Sequence, residues 1–262
     1  MIVEYLGIAA SWPALLALQF LLGMLMYFGL SALSYWYFFV LRKDHYFPGD
    51  ARPDPAEMKK AMKLAFWGTL GNAILGTPIQ WLVVHGHSKV YYDVAERGWL
   101  YYAFSFLLFL FVTETMIYWI HRTLHHPWLY KHIHLYHHEY RKPTPWVSMA
   151  FHPLDSFSQA APHYLCAFLF PVHYTIYIGF VVYVMLWTFF IHDRVSWVRL
   201  GIVNYTAHHT LHHIYNKFNF GQFLTVWDRI AGTHRDPKKE TRYACMYPAV
   251  ADDGARSVAP QG

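Results

Sequence analysis

Histidine is the residue type whose number and spacing most strongly suggest chemistry in this chain. The sequence has 262 residues and 19 His, with seven His between positions 121 and 138 and five between 192 and 213. Residues three and four apart lie on one face of a helix. Because neutral imidazole offers a nitrogen lone pair, such faces predict metal binding. Three groups have this spacing: His121-x3-His125, His134-x2-His137-His138 and His209-x2-His212-His213.

These groups supply more imidazoles than a single metal ion needs. Eight ligands suit two ions, and His192 is the best candidate for a ninth, with His152 and His208 as alternatives. Imidazole binds Fe, Zn, Cu and Ni, whereas two Cys cannot hold an iron–sulfur cluster. Redox-silent zinc would not need so many ligands. Two iron ions that activate dioxygen would explain the ligand number.

The elements that position these histidines are predicted to be membrane helices. Hydrophobic residues make up 55% of the chain, aromatic residues 20% and charged residues only 14%. This composition excludes a typical soluble enzyme and is typical of a polytopic membrane protein. Stretches without Asp, Glu, Lys or Arg, apart from Glu114 in the third, predict crossings at 15–41, 64–84 and 99–120. The stretch 156–192 is long enough for a helical hairpin that turns near Pro171.

The basic residues predict how the chain is oriented in the membrane. All 21 Lys and Arg except Lys89 and Arg97 fall on one side, which the positive-inside rule assigns to the cytoplasm. A hairpin keeps 121–155 and 193–262 together on that side. The expected fold is therefore all-α: a polytopic membrane helix bundle of three crossings plus a hairpin. A cytosolic helical cap would hold the His-rich dimetal site.

The whole chain, 1–262, is expected to form a single membrane-embedded domain. Its N-terminal membrane crossings occupy 14–120. The catalytic region 121–240 carries the three histidine groups and includes the hairpin 156–192. The tail 248–262 is small and polar and is predicted to be disordered. Basic residues are scattered through an apolar chain, so nucleic acid is not an expected partner.

Carboxylates near the metal site are expected to orient the ligating imidazoles. Glu114 is the first candidate, because it lies two helical turns before His121 and is ionisable within a membrane segment. Asp228 is a second candidate. Asp155 and Asp193 are weaker ones, and for every Asp a helix cap is at least as good an explanation.

The histidine groups resemble the three histidine boxes of the fatty acid hydroxylase/sterol desaturase superfamily. The intervening sequence is most similar to the sterol C-5 desaturase (lathosterol oxidase) branch, and the similarity covers roughly residues 100–240. The segments that carry it are Leu129-Tyr130-Lys131-His132-Ile133-His134, Pro143-Thr144-Pro145-Trp146, Phe151-His152-Pro153-Leu154-Asp155, Ala207-His208-His209-Thr210-Leu211-His212-His213, Phe218-Asn219-Phe220-Gly221-Gln222-Phe223 and Leu224-Thr225-Val226-Trp227-Asp228-Arg229.

The resemblance implies a membrane oxidoreductase with two Fe ions and O2 as co-substrate. It implies a sterol or other lipid substrate, and most specifically desaturation at C-5(6) of a Δ7-sterol. Because no cytochrome b5 domain is recognisable, the electron donor would be a separate cytochrome b5 or ferredoxin-type protein. The membrane would be the ER membrane in a eukaryote or the inner membrane in a bacterium. The implied ligands are His121, His125, His134, His137, His138, His209, His212 and His213, with His192 at the position of an additional ligand.

The sequence alone is compatible with two other functions. Within the superfamily, the chain could instead hydroxylate a lipid, hopanoid or carotenoid, and the product would distinguish the two reactions. Outside it, the chain could be a membrane metal-binding protein or transporter. Transporters place their sites near the middle of the membrane, whereas these histidines follow the ends of the predicted crossings.

Overall fold

The computed structural model describes residues 11–240, 242, 243 and 248, and these residues are mostly helical. Except for residue 248, the tail predicted to be disordered lies outside the described residues. The α-helices in chain order are α1 (Trp12–Ser34), α2 (Lys43–Tyr46), α3 (Pro55–Val84), α4 (Gly98–Leu124), α5 (Pro127–Leu129), α6 (Leu135–His138), α7 (Pro153–Leu169), α8 (Tyr174–His192), α9 (Thr206–Tyr215) and α10 (Val226–Ile230). Shorter elements are the π-helical segments Tyr35–Leu41 and Tyr130–His134, the 3-10 turns Val94–Glu96, Pro145–Val147 and Pro237–Lys239, and the strands β1 (Val90–Tyr91) and β2 (Val172–His173).

Three helices within the described residues are long and apolar enough to cross a membrane. They are α1 with its π-helical continuation (Trp12–Leu41), α4 and α8. Ser11 precedes α1, and Pro13 lies in its first turn, where the missing N–H of proline leaves no helical hydrogen bond unmade. The chain is an integral membrane protein, and the all-α bundle expected from the sequence is confirmed.

The predicted crossing 64–84 and the first arm of the hairpin are helical but fall short of these three in length or in apolar character. They correspond to α3 and α7, which pack against each other. The amide of Asn72 on α3 donates to the Tyr164 hydroxyl on α7 at 3.1 Å. Polar side chains of this kind lower the hydropathy of the two helices, and they pair with each other across the contact between them.

The hairpin predicted in 156–192 is confirmed. Helix α7 ends at Leu169 and α8 begins at Tyr174, so the chain turns around Pro171. Strand β2 in this turn pairs in parallel with β1, which lies between α3 and α4. The strand pair therefore ties two loops together at one end of the bundle, and the nine histidines predicted as metal ligands lie at the other.

A close contact between α3 and the start of α7 fixes the position of the second helix. A Cβ atom at Gly68 would lie 2.5 Å from the Phe151 carbonyl oxygen, and one at Gly71 would lie 2.3 Å from Pro153 Cβ. Glycine at these two positions lets the backbones meet. The approach places the first turn of α7, including Asp155, against the histidine region.

Candidate metal centre

The nine histidines predicted as ligands lie together in two groups. Within each group one ring nitrogen per residue lies within 4.8 Å of all the others. We call them the five-histidine group and the four-histidine group. The first contains His121, His125, His134, His138 and His212; the second contains His137, His192, His209 and His213. All are buried except His125, which is half-buried.

Two of the histidine boxes, His134-x2-His137-His138 and His209-x2-His212-His213, each contribute ligands to both groups. On the second box, His134 and His138 belong to the five-histidine group, while His137 belongs to the other. On α9 the arrangement is reversed, because His209 and His213 lie in the four-histidine group and His212 in the other. Sharing two boxes in this way holds the groups next to each other, and the His138 and His213 rings are 4.7 Å apart.

Ring nitrogens within each group approach one another at about the spacing of ligands on one ion. In the five-histidine group, His134 Nε2 lies 3.2 Å from His121 Nε2 and 3.0 Å from His138 Nε2. In the four-histidine group, His209 Nε2 lies 2.9 Å from His192 Nε2 and 3.2 Å from His213 Nε2. Two metal–nitrogen bonds of about 2.1 Å at right angles would place their nitrogens about 3.0 Å apart.

The other ring nitrogen of several imidazoles is committed to a hydrogen bond. Because the carbonyl and carboxylate partners can only accept, each of these Nδ1 atoms carries the proton and Nε2 carries a lone pair. The pairs are His121 with the Phe220 carbonyl at 2.9 Å, His134 with Asp155 Oδ2 at 2.6 Å, His137 with the Ala150 carbonyl at 3.4 Å, His192 with the Thr188 carbonyl at 2.6 Å and His212 with the Phe218 carbonyl at 2.7 Å.

The donor set fits metal ions. His121 and His134 bring two Nε2 lone pairs to 3.2 Å, and His137 and His192 do the same in the other group. Facing lone pairs repel unless a cation lies between them. His125 Nε2 is buried without a hydrogen-bond partner among the described residues, which also suits a ligating atom. Each group could therefore hold one ion.

Five of the nine clustered histidines are held in the neutral form at neutral pH. Burial lowers their pKa values well below the ordinary value for histidine, and repulsion from neighbouring imidazolium groups lowers them further. This applies to His137, His138, His209, His212 and His213. At neutral pH these rings keep the lone pairs that metal binding requires.

The two alternatives for the ninth ligand lie outside both groups. His152 precedes α7, where its Nδ1 accepts a hydrogen bond from the Leu154 N–H at 3.2 Å. His208 is buried against Tyr205 and His234 and belongs to neither group. His192 is therefore the additional histidine that reaches the cluster.

The carboxylate beside an imidazole is Asp155, not Glu114. Asp155 is fully buried and accepts from His134 Nδ1 at 2.6 Å. Glu114 instead accepts from the backbone N–H groups of Phe223 at 3.2 Å and Leu224 at 2.7 Å. The structure places the Glu114 carboxylate on this backbone rather than on an imidazole, because the loop after α9 folds back onto α4. Asp155, in the first turn of α7, was the weaker candidate in the sequence.

Asp228 acts on the cluster through the same loop. Its carboxylate accepts from the N–H groups of Phe220 and Gly221, each at 2.8 Å, and does not contact an imidazole. The Phe220 carbonyl in turn accepts from His121. Asp228 thus holds the loop that orients His121. Asp193 follows α8 and contacts no imidazole, accepting instead from the Val195 N–H at 2.9 Å and from the Trp197 indole N–H at 2.8 Å.

Gly221 allows this loop to close on Asp228. A Cβ atom at this position would lie 2.4 Å from the Leu224 carbonyl oxygen and 3.0 Å from Asp228 Oδ2. We expect Gly221→Ala to lower the free energy of unfolding by about 1–3 kcal/mol, measured as a fall in melting temperature in detergent. Gly179→Ala on α8 is the control, since a Cβ there meets nothing within 4 Å. Equal melting temperatures for the two variants would contradict this prediction.

A cavity of about 460 Å³ opens from the metal centre into the bundle. Its size is within the range of about 300–1,000 Å³ found for pockets that bind small organic molecules. Tyr174 and His192, at the two ends of α8, both line it, so it extends roughly 27 Å along the helix. Imidazoles from both groups line the metal end, and most of the remaining wall is apolar.

Comparison with known proteins identifies the family. Residues 106–233 match the fatty acid hydroxylase family model. A lathosterol oxidase of Rattus norvegicus is 37% identical over 246 residues, which cover 87% of this chain and 80% of the relative. The Homo sapiens lathosterol oxidase is 34% identical over 263 residues, covering 95% and 87%. A Delta(7)-sterol 5(6)-desaturase of Leptosphaeria maculans is 38% identical over 243 residues, covering 88% and 67%.

No solved structure matches the chain. The family assignment therefore depends on sequence similarity, which extends well beyond the histidine boxes in these relatives. It confirms the resemblance seen in the sequence. The chain belongs to the fatty acid hydroxylase family and, within it, to the sterol C-5 desaturases, a group of membrane oxidoreductases.

Proposed function

We propose that the chain is a dioxygen-dependent di-iron enzyme that introduces the C-5(6) double bond into a Δ7-sterol. The cavity is the feature that most favours this proposal, because an apolar chamber ends at imidazoles from both groups. The names of the relatives, lathosterol oxidase and Delta(7)-sterol 5(6)-desaturase, support the substrate and the position of the double bond.

The reaction requires an electron donor. As the alkene forms, the sterol loses two hydrogen atoms, which amount to two protons and two electrons, and the donor supplies two further electrons. With two more protons from solvent, these four electrons reduce dioxygen to two water molecules. A cytochrome b5 or ferredoxin-type protein would be the donor. Iron held by the two groups would supply the redox chemistry that amino-acid side chains lack.

The residues of the chain would hold the metals and position the substrate. The five-histidine and four-histidine groups would each ligate one iron, with His134 oriented by Asp155. The apolar wall would exclude water from the reacting carbons. The metal centre would face the cytoplasm, in the ER membrane of a eukaryote or the inner membrane of a bacterium.

Sterol analysis in a yeast strain without its own C-5 desaturase tests this function. We expect the intact chain to produce Δ5,7-sterols and His137→Ala to produce none, because His137 belongs to the four-histidine group. Comparable amounts of both proteins in the membrane make the comparison valid.

The products also distinguish the alternatives. An oxygenated sterol without a new double bond would indicate a hydroxylase. An unchanged sterol profile would contradict the proposal if protein accumulates and both candidate donors are supplied. Metal bound without dioxygen consumption would then indicate a metal-binding protein or transporter.

A further inference from the structure

Helix α7 places two polar side chains at the metal end of the apolar cavity. Ser156 and Gln159 both line it, and their spacing of three residues puts them on one helix face. Ser156 is only 8% exposed. The Ser156 hydroxyl and the Gln159 side-chain oxygen accept no hydrogen bond from any residue in the described part of the chain. They form a polar patch that protein contacts do not account for.

The Gln159 amide is held beside a candidate metal ligand. Its Nε2 donates to Asp155 Oδ1 at 2.7 Å, and Asp155 Oδ2 accepts from His134 Nδ1 at 2.6 Å. One carboxylate therefore connects the amide to the imidazole. Fixing Nε2 in this way leaves the carbonyl oxygen Oε1 available to accept a hydrogen bond from another group.

The chemistry of the proposed substrate places its own polar group at the same end. In a 3β-hydroxysterol, only C-4 separates the carbon that bears the hydroxyl from C-5. When C-5 and C-6 lie at the histidines, the hydroxyl must lie there too, and the hydrocarbon tail extends toward Tyr174. A hydroxyl buried in this cavity needs an acceptor for its proton and gains from a donor to its oxygen.

The opposite wall is less suited to this role. Thr188 and Gln222 line the cavity there, but the Thr188 hydroxyl donates to the Val184 carbonyl at 2.8 Å. The same hydroxyl accepts from Gln222 Nε2 at 3.1 Å. Gln222 also leaves its side-chain oxygen available as an acceptor, but the hydroxyl beside it is engaged. On α7 an available acceptor and an available hydroxyl lie on one helix face, so this wall alone can both accept from and donate to a substrate hydroxyl.

We propose that Gln159 determines specificity for the 3β-hydroxyl of the sterol. The Gln159 carbonyl oxygen accepts the hydrogen bond from the substrate hydroxyl, and the Ser156 hydroxyl donates to the substrate oxygen. The sterol therefore binds with its hydroxyl-bearing ring toward the metals and its tail toward the strand pair. This inference rests on the proposed function, because it takes a 3β-hydroxysterol as the substrate.

Binding of two sterols, measured without dioxygen, tests the inference independently of turnover. The probes are a Δ7-sterol and its 3-deoxy analogue, and the protein is the metal-loaded full chain. We expect the intact protein to bind the hydroxysterol about tenfold more tightly. Gln159→Leu should lose this preference, weakening hydroxysterol binding about tenfold with little change for the analogue. Gln222→Leu, the same substitution on the opposite wall, should keep the preference.

Two controls separate this result from a general disturbance of the site. Metal content shows whether the loss of the Gln159–Asp155 hydrogen bond has released an ion. Gln159→Asn keeps a neutral amide, adds no charge beside Asp155, and should restore part of the preference for the hydroxysterol.

The inference is overturned if Gln159→Leu retains the preference or if Gln222→Leu loses it. A protein that binds the hydroxysterol preferentially but forms no alkene would contradict the proposed function alone. In that case the Gln159 comparison would still decide the inference, because it measures binding.

Discussion

His209→Ala is expected to lower the iron content from two ions per chain to about one and to abolish desaturation. His209 Nε2 lies close to the Nε2 atoms of both His192 and His213, so the four-histidine group would keep only three ligands. Loss of a residue that merely orients a ligand reduces affinity or activity by about 10–100-fold, and loss of a ligand should exceed this. Metal analysis and sterol product analysis of the purified variant measure the two effects.

The neighbouring histidine provides a matched control. His208 is as buried as His209 but packs against Tyr205 and His234, away from both groups. We expect His208→Ala to retain both ions and most of the activity of the intact enzyme. If the two variants lost iron equally, the division of these adjacent histidines between ligand and packing roles would be wrong.

Asp155→Asn is expected to reduce iron affinity and turnover by about 10–100-fold. The carboxylate accepts from His134 Nδ1 at 2.6 Å and keeps the lone pair of that ring on Nε2. An amide cannot supply the negative charge, and its NH2 group can face the imidazole instead. Iron retention during dialysis against a chelator, followed by activity measurement, tests this effect.

Glu114→Gln is the matched comparison because the sequence alone favours Glu114. Its carboxylate holds the Phe223–Leu224 backbone, so the substitution should lower the melting temperature more than it lowers iron retention. Release of iron by Glu114→Gln together with its retention by Asp155→Asn would contradict the roles given to these two carboxylates.

The histidine positions could be predicted from sequence because they depend on local geometry. Spacings of three and four residues place His134 and His138, or His209 and His213, on one helix face whatever the rest of the fold does. The hairpin could also be predicted from the sequence, since Pro171 divides a long apolar stretch. These features require only the period of a helix and the thickness of a membrane.

The grouping of the histidines could not be predicted in this way. Whether His137 joins His134 or His209 depends on how the second box crosses α9, which is a property of tertiary packing. The same limitation applies to the partners of Glu114, which are backbone N–H groups. The spacing of Glu114 and His121 does place them on one helix face. The Glu114 carboxylate is nevertheless bound by the loop that carries Phe223, which lies more than one hundred residues further along the chain.

Asp155 and Gln159 illustrate what only the assembled bundle reveals. In the sequence they belong to the start of an apolar stretch, and a first-turn carboxylate is readily explained as a helix cap. Contact between α3 and the segment before α7 brings Asp155 to His134, and Gln159 follows one turn later at the cavity wall. No local pattern connects these side chains to a histidine box that lies on a separate helix.

Iron analysis of the intact protein, purified without dioxygen and reconstituted with ferrous iron, tests the central claim most directly. The five-histidine and four-histidine groups predict two iron ions per chain. A stoichiometry near two, lost with a chelator and restored by iron together with sterol desaturation, is the expected result. Retention of zinc alone, or of a single iron that supports full activity, would contradict the di-iron account.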